Sequence, residues 1–512
     1  MATLTQTNII ISTNPATGRP IGEVRINVPA EAESILARAR KAQAEWAGLG
    51  LKGRLAIMRA LKTVLHRHAE QIVDVLVAEQ GKARFEAYTE LWPTIELLDY
   101  SVRIAERTLS PERVLVSLLP HRVHWVERRP YGVILVITPW NFPLILSMTP
   151  IISALIAGNS VVYKPSEYST QMGELIMRLL AEAGVPHDVV QIAHGAGDLG
   201  AALINAKPNK IVFTGSTANG KKIAMAAGQH LIPVTLELGG KDAAIVLEDA
   251  DLDRTAEGLV WAGMFNAGQM CVSIERIYVR REVADQLVEK MAKVMQDHLR
   301  VGPGDQIENS IGAITTPAQM EIISRHIREA VEHGARVVVG GRAVEDSSGR
   351  FYLPTLLTDV TPEMRVMKDE TFGPVLVVVP VASDEEAISL ANNTSFGLTG
   401  SVWTRNRDRG LALGRRMRVG HAGLNDHVIS ASAPNLPWGG VGDSGYGRTR
   451  GKEGLIDMTF AQVVSAERFA PLPREVFWYP YTPLKITLIR RAIKFMYAPT
   501  LRDRLHALFS NL

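Results

Sequence analysis

The 512-residue chain predicts an α/β fold of two lobes, each built on a parallel, doubly wound sheet. Three observations carry this. Short apolar runs of strand type alternate with helical stretches of ten or more residues, the pattern of βαβ units and parallel sheets. That alternation occurs twice, from Tyr131 to about Thr235 and from there to about Val428. The length also exceeds what one hydrophobic core serves, so each lobe is expected to have its own.

Taken in order, Asn14-Pro15-Ala16-Thr17-Gly18-Arg19-Pro20 is rich in turn residues, and Ile21, Val24 and Ile26 follow as a strand. Pro29, Ala30 and Glu31 open a long region rich in Ala, Leu, Glu, Lys and Arg that runs to about Arg107. Apolar residues there recur at helical spacing, as in Ile57, Leu61, Val64 and Leu65. Val114 to Val126 alternates enough for an extended ribbon. Gly132–Ile137, Ser160–Pro165, Val189–Ile192 and Lys210–Gly215 are the strands of the first lobe. In the second, strands are expected at Ala243–Leu247, Arg276–Val279, Arg336–Val339, Val375–Val381 and Gly400–Thr404.

Hydrophobic residues make up 46% and charged residues 21%, with Gly and Pro near average. This excludes collagen-like and low-complexity chains and leaves ample apolar material for a large core. A single cysteine cannot form an intramolecular disulfide, so a reducing, cytoplasmic setting is expected. No secretory signal is read in the first thirty residues, and no apolar run reaches the ~18 residues of a spanning helix. The net charge of +3 is unevenly placed. From Pro471 to Leu512 there are seven basic and two acidic residues, which leaves −2 on the body. The body therefore gives no reason to expect a nucleic-acid partner.

Six short segments could carry chemistry. The lone cysteine sits in Phe265-Asn266-Ala267-Gly268-Gln269-Met270-Cys271-Val272, where Gly268 and Gln269 interrupt what would otherwise read as a core strand. A lone cysteine is by default a small buried hydrophobe, but a thiolate is also the strongest ordinary nucleophile at neutral pH. Glu237 stands between two leucines in Thr235-Leu236-Glu237-Leu238-Gly239-Gly240-Lys241. An apolar setting can raise its pKa and make it a general base; otherwise it is a solvated strand-end residue. Thr138-Pro139-Trp140-Asn141-Phe142-Pro143 follows a buried strand, at the sheet edge where ligands bind, and Asn141 offers an amide to a developing oxyanion. Gly215, Ser216 and Gly220 belong to a glycine-rich strand-to-helix turn that could face a phosphate, though it matches neither G-x-G-x-x-G nor a nucleotide-phosphate loop. Lys164 and Glu167, three residues apart at another strand end, could hold sugar hydroxyls or form a surface pair. Glu370-Thr371-Phe372 sets a carboxylate beside an aromatic ring.

No single segment decides the matter; their joint order does. From Asn14-Pro15-Ala16-Thr17-Gly18 to Gly440-Val441-Gly442-Asp443-Ser444-Gly445-Tyr446-Gly447 the chain resembles the NAD(P)-dependent aldehyde dehydrogenase superfamily. Glu237-Leu238-Gly239-Gly240-Lys241 and Gly268-Gln269-Met270-Cys271 resemble its two signature sites. The resemblance implies a nucleophile at Cys271, a general base at Glu237 and an oxyanion-hole amide at Asn141. It implies cofactor contacts at Trp140, Lys164, Glu167, Gly215, Ser216, Gly220, Glu370 and Phe372, and less directly at Gln319. Oxidation would pass through a thiohemiacetal and a thioester on Cys271, with the thiolate favoured by bound cofactor charge more than by Glu237. NAD is expected over NADP because Glu167 would repel a 2′-phosphate.

The domains implied are a dinucleotide-binding, Rossmann-like domain at 1–113 and 131–240 and a catalytic domain at 241–430. An oligomerisation arm and C-terminal closure are implied at 114–130 and 431–470, so a homodimer or higher oligomer is expected, with Val114–Val126 and Leu455–Ser465 as arms. Gly423-Leu424-Asn425-Asp426-His427 and Tyr479-Pro480-Tyr481-Thr482-Pro483 are similar to the class 3 or fatty aldehyde branch, whereas the long N-terminal part is closer to other branches.

The tail, 471–512, holds seven of the 31 aromatic residues. Leu484, Leu488, Ala492, Phe495 and Met496 can share a helix face with Lys485, Arg490, Arg491 and Lys494 elsewhere, and Leu501, Leu505, Leu508, Phe509 and Leu512 extend the pattern. A basic, aromatic amphipathic segment suits a membrane surface, and then a long-chain or otherwise apolar aldehyde as substrate; packing on a partner subunit or over the substrate entrance is the alternative. The thirteen histidines form no metal-ligand pattern, so no metal is expected, and His187 and His194 read as solvated turn residues. Two other functions remain open: a CoA-acylating semialdehyde dehydrogenase, against which Glu237 argues, and a catalytically silent scaffold, against which the Cys271, Glu237 and Asn141 set argues.

Overall fold

The computed structural model describes residues 8–116, 119, 121–345, 349–469, 474–475 and 477–509. It opens with an antiparallel hairpin, β1 (Ile9–Thr13) and β2 (Pro20–Arg25), whose turn is closed by the Ala16 and Thr17 amides donating to Asn14 Oδ1. Four helices follow: α1 (Ala32–Gly48), α2 (Gly50–Arg67), α3 (Ala69–Gln80) and α4 (Arg84–Leu109). Leu55, Met58, Leu61 and Leu65 line the buried stripe of α2, at the spacing that brings side chains to one helix face. A ribbon of β3 (Glu112–Val114) and β4 (Arg122–Pro130) comes next.

Strict alternation then begins: β5 (Val133–Ile137), α5 (Ile145–Ala157), β6 (Ser160–Lys164), α6 (Thr170–Glu182), β7 (Val190–Ile192), α7 (Gly197–Asn205), β8 (Lys210–Thr214), α8 (Thr217–Gly228) and β9 (Val234–Glu237). These strands lie in the order β9-β8-β5-β6-β7, and every neighbouring pair is parallel. The chain winds outward from β5 through β6 and β7, then returns to β5's other side as β8. That reversal leaves a crevice at the carboxyl ends of β5 and β8.

The second sheet is built from β10 (Asp242–Val246), α9 (Leu252–Met264), β11 (Ile274–Arg280), α10 (Ala284–His298), α11 (Pro317–Glu332), β12 (Arg336–Val339), β13 (Thr355–Thr358), α12 (Arg365–Lys368), β14 (Val375–Val381), α13 (Asp384–Asn392), β15 (Thr399–Trp403), α14 (Arg407–Gly414) and β16 (His421–Leu424). Its order is β12-β13-β14-β11-β10-β15-β16. All five residues of β10 are buried, because helices cover both faces of a central parallel strand. The chain then adds β17 (Gly445–Tyr446) to the first sheet, forms α15 (Gly451–Asp457), and passes into β18 (Thr459–Glu467), α16 (Pro483–Tyr497) and α17 (Leu501–Phe509).

The molecule divides into two compact units. Met1–Ser110 with Arg128–Ala461 forms one, which holds both large sheets; Pro111–Glu127 with Gln462–Leu512 forms the other. The second contains β3, most of β4 and β18, and the two terminal helices. Inside it, Glu475 accepts from His121 at 3.0 Å and from Arg122 at 3.4 Å, tying the segment before α16 to the ribbon.

The α/β architecture with parallel-sheet lobes agrees with the sequence. Each sheet also has one antiparallel edge, β12 against β13 and β17 against β9, which apolar runs cannot announce. Strands β13 and β16, of four residues each, escape the sequence because their runs are too short to show a period. Leu455 is not part of an extended arm. It belongs to α15 and is buried with Met458 in the first lobe's core, so extended structure begins only at Thr459. His194 is not solvated: it is 4% exposed, and its Nε2 meets Glu174 at 2.7 Å. The ribbon residues 117, 118 and 120 and the tail ends Pro471 and Leu512 lie outside the described residues.

Asn159 shows how the first lobe is stitched. Fully buried, it accepts from the Gly132 amide at 2.9 Å and donates to the Ala154 and Met458 carbonyls at 3.2 and 2.9 Å. Each orphaned buried group costs about 1–3 kcal/mol. Asn159→Ala should therefore lower the urea midpoint at unchanged m-value; an unchanged midpoint would show that these bonds do not hold the lobe.

Candidate active site

The segments singled out in the sequence leave the carboxyl ends of neighbouring parallel strands. Thr138-Pro139-Trp140-Asn141 follows β5, Pro165-Ser166-Glu167 follows β6, Gly215-Ser216 follows β8, and Glu237 ends β9. A Cβ on Gly215 would come within 2.6 Å of the Phe213 ring, so that turn needs glycine. Ser216 caps α8 by accepting from the Asn219 amide, leaving the helix's other free amides at the same edge.

Cys271 arrives from the second lobe. Asn266, Ala267 and Gly268, just before it, have φ of 54°, 53° and 71°, the left-handed region. For the two non-glycine residues this costs about 1–2 kcal/mol each. At Gly268 a Cβ would run into the Gly373 carbonyl. The turn is held by Gln269, whose Nε2 donates to the Asn266 and Ala313 carbonyls at 3.1 and 3.3 Å and whose Oε1 accepts from the Thr315 amide at 2.9 Å.

A cavity of about 270 Å³ brings these parts together. Its lining includes Trp140, Asn141, Gly215, Ser216, Glu237, Cys271, Gln319, Glu370 and Phe372. A second cavity of about 620 Å³ shares Pro139, Trp140, Thr214, Gly215 and Ser216 with it, and adds Lys164, Ser166 and Glu167. Gly220 lines neither. It lies in the first turn of α8, where a Cβ would come within 2.5 Å of the Leu238 side chain. Trp140 and Phe372 meet edge to face at 5.7 Å and form one wall of the smaller cavity. Phe372 has φ of 51° and is fixed by Glu275, which accepts from the Thr371 and Phe372 amides and pairs with buried Lys241.

The electrostatics are acidic. Burial pushes the Cys271 thiol well above its ordinary value, and Glu237, Glu370 and Asp242 push it further, while Arg450 opposes them. Burial likewise raises Glu237, although Thr449 donates to its Oε1 and Arg450 and Arg448 draw it down. Glu370 is raised to about 8 by burial and by Glu275, while the Gly240 amide donates to it at 3.0 Å. Thr449, Arg450 and Trp438 around Glu237, and Lys241 and Glu275 behind Phe372, were not found by sequence reasoning. Trp438, Thr449 and Arg450 lie more than 200 residues from Glu237 and Glu275 lies 97 from Phe372, with no local signal to mark them; Lys241 closes the Glu237 segment, but nothing local pairs it with Glu275.

Residues 3–464 match the aldehyde dehydrogenase family. A 4,4'-diapolycopene aldehyde oxidase from Methylomonas sp is 35% identical over 491 residues, 95% of this chain and 91% of that protein. A Mycobacterium ulcerans protein named for succinate-semialdehyde dehydrogenase activity with NADP(+) is 36% identical over 453 residues, 88% of this chain and 87% of that one. Among solved structures, an NAD-dependent aldehyde dehydrogenase from Sinorhizobium meliloti superposes with a TM-score of 0.87 at 31% identity, covering 91% and 92% of the two chains. PnpE in complex with nicotinamide adenine dinucleotide gives 0.87 at 32%, covering 91% and 96%. The chain belongs to the aldehyde dehydrogenase family. It is an NAD(P)-dependent enzyme that acts on aldehydes.

The larger cavity fits such a dinucleotide. Lys164 is 6% exposed and, among the described residues, its Nζ makes a single 3.4 Å bond, to the Pro165 carbonyl, which leaves donors for ligand oxygens; burial lowers its pKa. The raised thiol sets a pH expectation. A thiol whose pKa is raised stays protonated below that value, so its thiolate fraction keeps growing as pH rises. Alkylation of the dinucleotide-free enzyme by iodoacetamide should climb steadily from pH 7 to 9.5 without a plateau; a plateau near pH 7 would contradict the placement of the carboxylates.

Proposed function

We propose that the enzyme oxidises a long-chain or otherwise apolar aldehyde to its carboxylic acid through covalent adducts on Cys271. The supporting observation is that Cys271, Glu237 and Asn141 line one cavity that shares five lining residues with a second, lined by Lys164 and Glu167. The Cys271 thiolate attacks the aldehyde carbon, and the carbonyl oxygen takes the charge. Asn141 Nδ2 and the Cys271 amide donate to that oxygen, each donor contributing about 2.7–4 kcal/mol to the barrier reduction. Bound NAD(P) supplies the acceptor for the hydride that leaves the same carbon. Glu237 then takes a proton from water, the resulting hydroxide adds to the thioester carbon, and the C–S bond breaks to release the acid and regenerate the thiolate. Lys164 and Glu167 hold sugar hydroxyls, Gly215 and Ser216 approach the phosphates, Gly220 lets α8 pack closely behind that turn, and Trp140, Glu370 and Phe372 shape the reacting end. The Glu167 carboxylate disfavours a 2′-phosphate and weighs towards NAD.

Two observations favour an apolar substrate. Cys271 packs against a cluster containing Phe265, Met270, Val272 and Trp438, with Phe142 beside it. An alignment covering 95% of this chain must also run past residue 464 into the tail, and it is with a relative named as a 4,4'-diapolycopene aldehyde oxidase. The tail itself has no buried side chain along α16, while Phe477, Trp478, Tyr479 and Tyr481 are 52–76% exposed. No described helix is long and apolar enough to cross a membrane. The basic tail therefore rests on an anionic membrane surface, where each Lys or Arg contributes about 1 kcal/mol. The ribbon and β18, with Val463 63% exposed, serve as the arm of a homo-oligomer.

Cys271→Ala should abolish the burst of NADH with any aldehyde. Glu237→Gln should keep the burst and slow steady turnover by at least tenfold; loss of both phases to the same extent would remove Glu237 as the hydrolytic base. Arg490→Glu with Lys494→Glu should lose sedimentation with phosphatidylserine vesicles while keeping kcat on a short, water-soluble aldehyde. Equal sedimentation of variant and parent would refute the membrane contact.

A further inference from the structure

The oxyanion-facing amide is itself aimed by a neighbour. Asn141 is 3% exposed, and its Nδ2 donates to the Gln269 carbonyl at 3.1 Å. A carbonyl only accepts, so it fixes which end of the Asn141 amide is the NH2. One N–H is used on Gln269 and the other is left for a ligand oxygen, while Oδ1 is buried with no partner among the described residues. The Gln269 carbonyl therefore decides the orientation on which the oxyanion site depends.

Asn266 holds that carbonyl. Its Nδ2 donates to the Gln269 carbonyl and to the Asn141 carbonyl, both at 3.1 Å. One side-chain amide thus clamps the loop carrying Asn141 to the loop carrying Cys271. The clamp has its own supports: the Asn266 amide donates to Glu86 Oε1 at 2.8 Å, and Lys82 Nζ donates to the Asn141 carbonyl at 2.9 Å while pairing with Glu90 at 2.6 Å. All three of these charged side chains are buried.

We propose that Asn266 is a positioning residue: by holding the Gln269 and Asn141 carbonyls together it turns the Asn141 N–H towards the oxygen of the Cys271 adduct. This rests on the reading of Cys271 and Asn141 given above. It goes beyond that reading because Asn266 does not line the cavity and acts on it only through its neighbours. The residue type follows from two demands met at once. Asparagine tolerates the left-handed backbone better than most residues, and its amide supplies the two parallel donations. Glycine would meet the first demand and not the second.

The test is a double-mutant cycle read on the NADH burst of the full-length enzyme with NAD+ and propanal. Asn141→Ala should slow the burst by about 10²–10³-fold, the loss expected for one oxyanion donor. Asn266→Gly should slow it at least tenfold, with burst amplitude and NAD+ affinity unchanged. If Asn266 acts through Asn141, the double variant is no slower than Asn141→Ala alone. A burst within twofold of the parent in Asn266→Gly, or single effects that multiply in the double variant, would overturn the proposal. A merely structural role would lower amplitude and melting temperature and leave the cycle additive. Asn266→Asp, which keeps size and backbone tolerance but turns an acceptor on both carbonyls, repeats the cycle should the glycine variant fail to fold. A Cys271→Ala enzyme that kept its burst would instead remove the nucleophile reading, and an Asn141→Ala enzyme as fast as the parent would remove the oxyanion reading and the role of Asn266 with it.

Discussion

The constraint on which the site depends is a backbone run that proteins normally avoid. Three consecutive left-handed residues, Asn266 to Gly268, turn the chain sharply enough to bring Cys271 against the carboxyl edge of the first sheet. Such a turn persists only where its surroundings over-determine it. Here the surroundings come from elsewhere in the chain: Glu86 from α4, Lys82 from just before it, Ala313 and Thr315 from the segment preceding α11, and Asn141 from the loop after β5. The N-terminal helices thus do more than cover a sheet. Their buried charges fix the loop of one lobe to the loop of the other.

That rigidity coexists with unfavourable electrostatics. Glu237, Glu370 and Asp242 crowd a half-buried sulfur, and each is itself shifted towards its neutral form by burial. A low dielectric magnifies every one of these interactions. These surroundings therefore favour the protonated thiol and the neutral form of Glu370. The groups sort by what they touch: Glu237 by Thr449 and the arginines 448 and 450, Glu370 by the Gly240 amide and Lys241, Asp242 by Thr399 and His427. Three carboxylates raised by burial thus differ in the partners that oppose that rise, the kind of difference by which neighbouring acids come to differ in proton affinity.

The terminal unit follows another logic. The large sheets bury whole strands, whereas α16 leaves every residue at least partly exposed. An amphipathic helix gains little from its own backbone and usually needs a surface to cover its apolar stripe. Its basic residues give it a charge opposite in sign to the −2 of the rest of the chain.

Much of this was legible in order along the chain. The alternation of apolar runs marked β5, β6, β8, β10 and β14 within a residue or two, because parallel strands buried on both faces cannot hide their composition. The motifs at Cys271, Glu237, Asn141 and Lys164 were legible because each follows an apolar run or a glycine that the local backbone requires. What the chain could not disclose alone were the partners: Thr449 beneath Glu237, Glu275 behind Phe372, and the meeting of Asn266, Gln269 and Asn141. Leu455 in a helix and His194 against Glu174 belong to the same class. Residue type and periodicity are local properties written in sequence order. A hydrogen bond between residues 125 or 212 positions apart exists only after two sheets have packed, and only then does a carbonyl decide which way an amide points.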